Sequence, residues 1–380
     1  MVDSLELATL PELPVGIEVR LASIEDLETL LGIENRCFTS DKLSRRSFKN
    51  FIKAGSHELW VLVLNGKMLG YSLLLYRAGT SLARLYSLVL VPEARGQGYA
   101  QLFLRYTEQQ AANRHCVYLR LEVNQQNSAA IKLYQSLGYK MIGELPGYYE
   151  DGGDALKMEK RIFALAKRKY QPKPYYPQTT EFTCGPASLM MAMQTLDASY
   201  KMTRHEELQV WREATTIFMT SGHGGCSPHG LALSAWRRGF KVKLYINSEQ
   251  TPFEDGLRSE EKKHVIRLVH EEFLNQIAET DIELTVHQLK DEDMDLLLGS
   301  EHPVLALIST WRFNRNKAPH WVYIADSDEK YFYINDPDLC SHDFLTQTDF
   351  EQVPVTRQSF TAMARFGQKK LRALLIISNR

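Results

Sequence analysis

Leu82-Ala-Arg-Leu-Tyr-Ser-Leu-Val-Leu-Val-Pro-Glu-Ala-Arg95-Gly-Gln-Gly98-Tyr-Ala100 reads as an apolar strand that runs into a glycine-bearing turn and then into a helix beginning near Tyr99. Gly96 and Gly98 let backbone amides crowd around an anion at a helix N-terminus, where bare N–H groups and the helix dipole bind phosphate. Glycines in such a turn serve equally well as tight-turn residues, so the loop alone leaves both readings open.

The surrounding pattern places this stretch in a mixed α+β domain. Residues 17–21 alternate as a strand, and 24–38 and 43–53 carry helical periodicity. Residues 59–64 and 68–76 form a hairpin around Asn65-Gly66, the favoured two-residue turn. A helix over 99–114, a strand over 117–123 and a helix over 128–137 ended by Gly138 follow. Strands over 140–144 and 154–161 close the domain.

A second chemical pattern starts at Gln178-Thr-Thr-Glu-Phe-Thr-Cys184-Gly-Pro-Ala. Apolar periodicity after Cys184 marks a helix, whose first turn tolerates Pro186. A thiol at a helix start is favoured as thiolate, the attacking form. Residues 319–325, with His320, and 331–337, with Asp336, alternate as two strands joined by a turn over 326–330. Antiparallel neighbours so joined can set Asp336 beside His320, to orient an imidazole that activates the thiol. Segment 249–283 reads as an inserted amphipathic helix. His223-x2-Cys226-x2-His229 has no obvious fourth ligand, so no metal is expected. Cys37, Cys116 and Cys340 read as core or surface thiols.

The 380 residues suit two domains. A net charge of −1 gives no general attraction for nucleic acid or anionic membrane. No apolar run approaches the ~20 residues that cross a bilayer. Met1-Val-Asp-Ser-Leu-Glu lacks the marks of a secretory signal. Five scattered cysteines fit a reducing compartment, so a cytoplasmic protein is expected. The expected division is a first domain over 1–165, a Pro- and Lys-rich linker over 166–177 and a second domain over 178–380.

Glu122-Val-Asn-x-x-Asn127-x-Ala-Ala-x-x-Leu-Tyr134-x-x-x-Gly138-Tyr, together with the glycine turn, resembles the GNAT acetyltransferases. It is most similar to the bacterial enzymes that acetylate the N-terminal alanine of a ribosomal protein; Glu34 to Phe38 and Gly147-Tyr-Tyr149 also look like that group. The resemblance implies a mixed-sheet fold that binds acetyl-CoA. It implies that the backbone of Leu88, Val89 and Val91 pairs with the pantetheine arm. Arg95, Gly96, Gln97, Gly98, Tyr99 and Ala100 would cradle the pyrophosphate, and Asn127 would lie near the thioester. Tyr134 would protonate the departing thiolate, and Glu122 would act as general base, directly or through water. Tyr148 and Tyr149 would contact the acceptor.

The second half resembles the papain-like peptidases that remove bacteriocin leader peptides after a double glycine. Gln178, Cys184-Gly-Pro-Ala, Gly225-Cys-Ser-Pro-His-Gly-Leu, Pro303 to Ile308, His320-Trp-Val and Asn335-Asp336-Pro337 carry the likeness. It implies a papain-like fold in which Cys184 attacks, His320 activates it, Asp336 orients the imidazole and Gln178 helps form an oxyanion hole. The combined expectation is an acetyl-CoA-dependent N-acetyltransferase joined to a cysteine peptidase or amidase, acting on a peptide or protein N-terminal amine. Two rivals stand beside it: a second domain that only binds peptides, and acyl transfer or amide hydrolysis on a small molecule.

Overall fold

The structure is a computed structural model that describes residues 13–163, 170–215, 225–314, 318–339 and 344–380. Met1 to Glu6, linker residues Lys167 to Lys169, His223 and Cys340 lie outside the described residues. The chain divides into two compact units, Met1–Pro172 and Lys173–Arg380.

The first unit comprises β1 (Ile17–Leu21), α1 (Leu27–Cys37), α2 (Arg45–Lys53), β2 (His57–Leu64), β3 (Lys67–Tyr76), β4 (Leu82–Leu90), α3 (Tyr99–Asn113), β5 (Tyr118–Asn124), α4 (Ser128–Ser136), β6 (Lys140–Leu145) and β7 (Ala155–Arg161). Its seven strands lie in the order β1-β2-β3-β4-β5-β7-β6. Asn65 and Gly66 both take positive φ, +48° and +80°, as a hairpin turn with the sheet's own twist demands. α2 is set by the Ser44 cap, which accepts from the Ser47 amide, and buries Phe48 and Phe51.

One feature of this sheet positions a site. β4 and β5 run parallel, and their pairing covers only Leu82–Tyr118 to Leu85–Leu121. Beyond Leu85, β4 continues to pair with β3 as far as Gly70–Leu90, after a bulge that leaves Tyr86 without an opposite residue. The bulge bends the strand and strengthens its twist, and β4 leaves β5. Past that fork, among the described residues, the β5-facing backbone edge of β4 has no partner strand. Gly70 is needed where β3 meets β4, because a Cβ there would stand 2.0 Å from the Val89 carbonyl oxygen.

The second unit comprises α5 (Cys184–Leu196), α6 (Arg204–Ala214), α7 (Pro228–Arg237), β8 (Lys241–Ile246), α8 (Glu260–Ala278), β9 (Glu283–Val286), α9 (Asp291–Leu298), β10 (Val304–Ser309), α10 (Trp311–Asn314), β11 (Pro319–Ser327), β12 (Tyr331–Asn335), β13 (Val353–Thr356), α11 (Arg357–Met363) and β14 (Ala373–Ser378). Its sheet has the order β13-β12-β11-β10-β14-β8-β9. The segment read as an inserted helix is more than that. α8 is the crossover of a parallel β8-α8-β9 unit, and β9 adds an edge strand at Lys243–Glu283 to Ile246–Val286. Ile266, Phe273 and Ile277 are the buried apolar face of α8. Four half-exposed residues, Glu-Leu-Thr-Val, carry too weak an alternation to be read as a strand.

Candidate functional sites

In the first unit, Glu122 is the first residue of β5 past the last position paired with β4. Its carboxylate lies 3.7 Å from the Arg84 guanidinium, and both side chains are almost wholly buried. Tyr86, the bulge residue, lies under the Arg84 guanidinium at 5.6 Å. From the turn after β6, Tyr148 and Tyr149 stack edge to face at 5.1 Å. Burial, and then the Glu122 charge, pushes both phenols well above their ordinary range, so they remain hydrogen-bond donors at neutral pH. The mouth of the fork is therefore lined by one carboxylate, one guanidinium and three phenols.

The turn that follows β4 has the geometry of an anion cradle. Gly96 and Gly98 take φ of +76° and +82°, and Gly98 directly precedes α3. A Cβ on either would meet no atom within 4 Å, so backbone conformation, not space, requires glycine there. Arg95 folds back to donate from Nε to the Leu90 carbonyl at 3.1 Å. Gln97 donates to the Glu93 carbonyl at 2.7 Å, which braces the turn. The first amides of α3 have no acceptor within the helix and point into the turn.

Asn127 caps α4 by accepting from the Ala130 amide at 3.1 Å, which occupies its side-chain oxygen and leaves its NH₂ to donate. Tyr134, on α4, is buried in the apolar cluster of β4, β5 and α3 and packs on Tyr139 at 5.6 Å. Burial lifts its pKa to about 12. It stays protonated at neutral pH, as a proton donor must. Glu34 joins α1 to the segment before α2: its carboxylate accepts from the Leu43 amide at 2.7 Å and from the Tyr71 hydroxyl.

In the second unit, Cys184 is the first residue of α5, immediately after the N-cap Thr183. Ser188 pins that helix to β11 by donating to the Trp321 carbonyl at 3.1 Å. The contact is close because Gly185 lacks a side chain; a Cβ there would stand 3.1–3.3 Å from Leu231, Cys226 and Trp321. His320, next to Trp321, shares a hydrogen bond of 2.7 Å between Nε2 and Asp336 Oδ1. Burial works against the imidazolium. The Asp336 charge, the Cys184 sulfur and hydrogen bonds to both outweigh it, and the His320 pKa rises well above the ordinary value. Asp336 also accepts from the Asp338 amide at 3.1 Å. The Gln178 amide donates to the Pro337 carbonyl at 2.9 Å, so the Gln178 loop runs beside Asp336. The Gln178 side-chain oxygen is buried without a partner. Cys184, His320, Asp336 and Gln178 thus gather at one place, as activation of a thiol requires.

The other histidine and cysteine signals resolve differently. Cys226 is buried, and burial first, then Cys184, pushes its thiol far up. His229 stacks edge to face on His270 at 4.7 Å; burial and that neighbour press its pKa down to about 3, so it stays neutral. Among the described residues no three His, Cys, Asp or Glu side chains converge as a metal site. Among them too, no helix is long and apolar enough to cross a membrane.

Two residues, Glu207 and Arg84, escaped the sequence reading, and Asn335 entered it only as part of the family likeness, without a role. Glu207, on α6, is fully buried and accepts from the Thr179 amide and hydroxyl (both 2.7 Å), the Tyr176 hydroxyl (3.0 Å) and the Thr183 hydroxyl. It fixes the loop that carries Gln178 and the cap of α5. Nothing in Arg-His-Glu-Glu-Leu distinguishes it from Glu206. Asn335 donates to the Pro174 carbonyl at 2.8 Å and accepts from the Gln352 amide at 2.7 Å, tying β12 to the start of the unit. Arg84 had a legible signal, a lone cation inside an apolar strand, which demands a buried partner. Glu207→Ala is expected to leave the Thr179 amide and the Tyr176, Thr179 and Thr183 hydroxyls without this acceptor and to destabilise the second unit by about 2–4 kcal/mol. A urea titration followed by tryptophan fluorescence checks this.

The forked sheet and the glycine turn define the first unit as an acyltransferase of the GNAT type; the second carries a thiol–imidazole–carboxylate set. The chain belongs to the Peptidase C39 like family, whose profile matches residues 173–378, and by residues 23–162 to the GNAT acetyltransferases. An uncharacterized N-acetyltransferase of Methanocaldococcus jannaschii is 31% identical over 144 residues, 38% of this chain and 90% of that protein. An N-alpha-acetyltransferase of Saccharolobus solfataricus is 27% identical over 155 residues, 38% of this chain and 92% of that protein. The ribosomal-protein-S18-alanine N-acetyltransferase of Escherichia coli, a crystal structure, is 26% identical, covers 41% of this chain and 99% of its own, and gives a TM-score of 0.37. The first unit is an N-acetyltransferase.

Proposed function

We propose that the chain is a bifunctional enzyme: an acetyl-CoA-dependent N-acetyltransferase acting on a peptide or protein N-terminal amine, and a cysteine peptidase or amidase. The bound thioester would supply an activated acetyl group. The β4 edge from Leu88 to Val91, where among the described residues only the Leu90 carbonyl is held, by the Arg95 side chain and the Cys37 thiol, fits an amide-bearing arm added as a strand, and the turn from Arg95 to Ala100 fits a pyrophosphate. Glu122, at the fork, takes the proton from the attacking amine, directly or through water, and Tyr134 gives one to the leaving thiolate. The Saccharolobus relative, by name an N-alpha-acetyltransferase, favours a peptide or protein acceptor.

In the second unit Cys184 attacks an acyl carbon, His320 carries the proton and Asp336 holds the ring. The observation that supports this most is the 2.7 Å His320–Asp336 bond beside a cysteine at a helix start. Incubating cell extract with the protein and isotope-labelled acetyl-CoA, then sequencing labelled peptides by mass spectrometry, tests both activities. Label on free N-termini, and new termini that vanish with Cys184→Ala, are the expected results. Label confined to polyamines or other small amines overturns the peptide reading.

The cradle has its own test. Gly98→Asp forces a side chain onto φ of +82° and sets a carboxylate where phosphate would sit. CoA affinity by calorimetry is expected to fall at least ~100-fold, since a like charge and a lost cradle act together. Unchanged affinity overturns the assignment of this turn.

A further inference from the structure

A cavity of about 430 Å³ lies in the second unit, and one of its walls is the start of the strand that carries His320. Its walls are segment 248–257, between β8 and α8, and the tight turn 366–371 before β14. Pro319, the residue before His320, also lines it. Pro319 and His320 are consecutive residues at the start of β11, so the backbone that carries the imidazole also forms part of the cavity wall. Phe253 and Phe366, edge to face at 5.7 Å, pack against the apolar core that also contains Cys184, Trp321 and Leu371. The aromatic wall of the cavity and the thiol therefore belong to one continuous apolar core. Pro252, Phe253, Leu257, Phe366 and Leu371 make the lining largely apolar. Lys369 bridges the walls, donating to Gln250 at 2.7 Å and pairing with Asp255 at 2.8 Å. Phe253 holds a φ of +67°. That conformation is unfavourable for a bulky residue and persists only where its surroundings fix it.

We propose that this cavity is a specificity pocket that takes large apolar side chains, of Leu or Phe size, from a peptide whose acyl carbon Cys184 attacks. The inference rests on the thiol reading above and narrows its substrate. The volume lies in the ~300–1,000 Å³ range of ligand sites. A double-glycine peptide, the substrate that the leader-peptidase resemblance implies, has no side chain to fill it. Burying a Leu or Phe side chain there is worth roughly 10- to 100-fold in affinity. The β8-α8-β9 unit, which contributes one wall, thus turns a site for glycine into one for a bulky residue.

The test uses the full chain carrying Cys184→Ala and fluorescein-labelled hexapeptides that differ only at two central positions: Gly-Gly, Leu-Gly, Gly-Leu, Phe-Gly and Gly-Phe. Fluorescence anisotropy is expected to show at least one Leu or Phe peptide binding 10- to 100-fold tighter than Gly-Gly. Leu257→Trp, which narrows the pocket from a half-exposed position, is expected to remove that preference. Leu257→Ala, which widens it, is expected to keep it, and unchanged circular dichroism in both shows intact folding. Equal binding of all peptides, no binding, or a preference that survives Leu257→Trp overturns the proposal. Iodoacetamide labelling of the unmutated chain reads the thiol separately. An inert Cys184 with a clear Leu or Phe preference sinks the thiol reading alone, and a reactive Cys184 without preference sinks the pocket alone.

Discussion

Replacing Cys184 with Ala is expected to lower hydrolysis of a peptide substrate by at least ~10⁴-fold, because residues that act as one nucleophilic unit fail together. Acetyl transfer is expected to persist, since Glu122, Asn127, Tyr134 and the glycine turn all belong to the other unit. Reactivity gives a check that needs no substrate. Cys116 is buried, and burial lifts its thiol to about 12; Cys226 is pushed far up in the same way. Both stay protonated and slow near neutrality. Cys184 stands at a helix start beside His320, whose own pKa, against its burial, is raised by the Asp336 charge. Iodoacetamide at pH 6 is expected to label Cys184 first, and His320→Ala to slow that labelling. If peptide mapping finds Cys184 labelled no faster than Cys226, the second unit is a peptide-binding module.

The pH profile of the same reaction follows from His320. Its pKa is raised, so the imidazolium is fully present below the ordinary histidine range and is lost only as pH rises through the raised value. Asp336→Asn removes the charge that sustains it, and the alkaline limb of kcat/KM is expected to move to lower pH. An unmoved limb means that another group sets it.

Tyr134→Phe is expected to cut acetyl transfer by ~10²–10⁴-fold, the usual worth of a positioned acid, with little change in CoA affinity. The ring stays, so its packing on Tyr139 and the surrounding core is kept. Only the hydroxyl is lost. At a pKa of about 12 that hydroxyl is a better acid in the presence of a nascent thiolate than water, yet it never ionises on its own at neutral pH. A steady-state assay with a defined peptide acceptor and CoA titration separates kcat from binding. Intact turnover requires a different proton donor, and Tyr148 and Tyr149 at the fork are the next to mutate.

Much of the fold was written in local patterns. Asn65-Gly66, the glycines before α3 and Gly138 after α4 each impose a turn by backbone conformation alone, so the strands and helices they separate could be read directly. Cys184, Gln178, His320 and Asp336 were legible as types in order, because a thiol at a helix start and an acid one hairpin away carry recognisable chemistry. What stayed hidden depends on distance in space. Glu207 looks like any helix glutamate until the 176–183 loop folds onto it. β9 is too short and too exposed to announce itself, and so α8 read as an insertion. The fork of β4 from β5 arises from one unopposed residue, Tyr86, which no periodicity marks.

Glu207 also sets how the second unit comes apart. Its carboxylate receives donors from Tyr176, Thr179 and Thr183, so the segment ahead of α5 cannot peel away without stranding a buried anion. Local fraying, the usual behaviour of a loop, is thereby forbidden to this one. In a hydrogen–deuterium exchange experiment the Thr179 amide is expected to exchange at the slow rate of α6 and α5, through opening of the whole cooperative block. In Glu207→Gln, which halves the acceptor capacity, that amide is expected to exchange early and by itself. The polypeptide around Gln178 then behaves kinetically as helix core, although it contains no helical hydrogen bond.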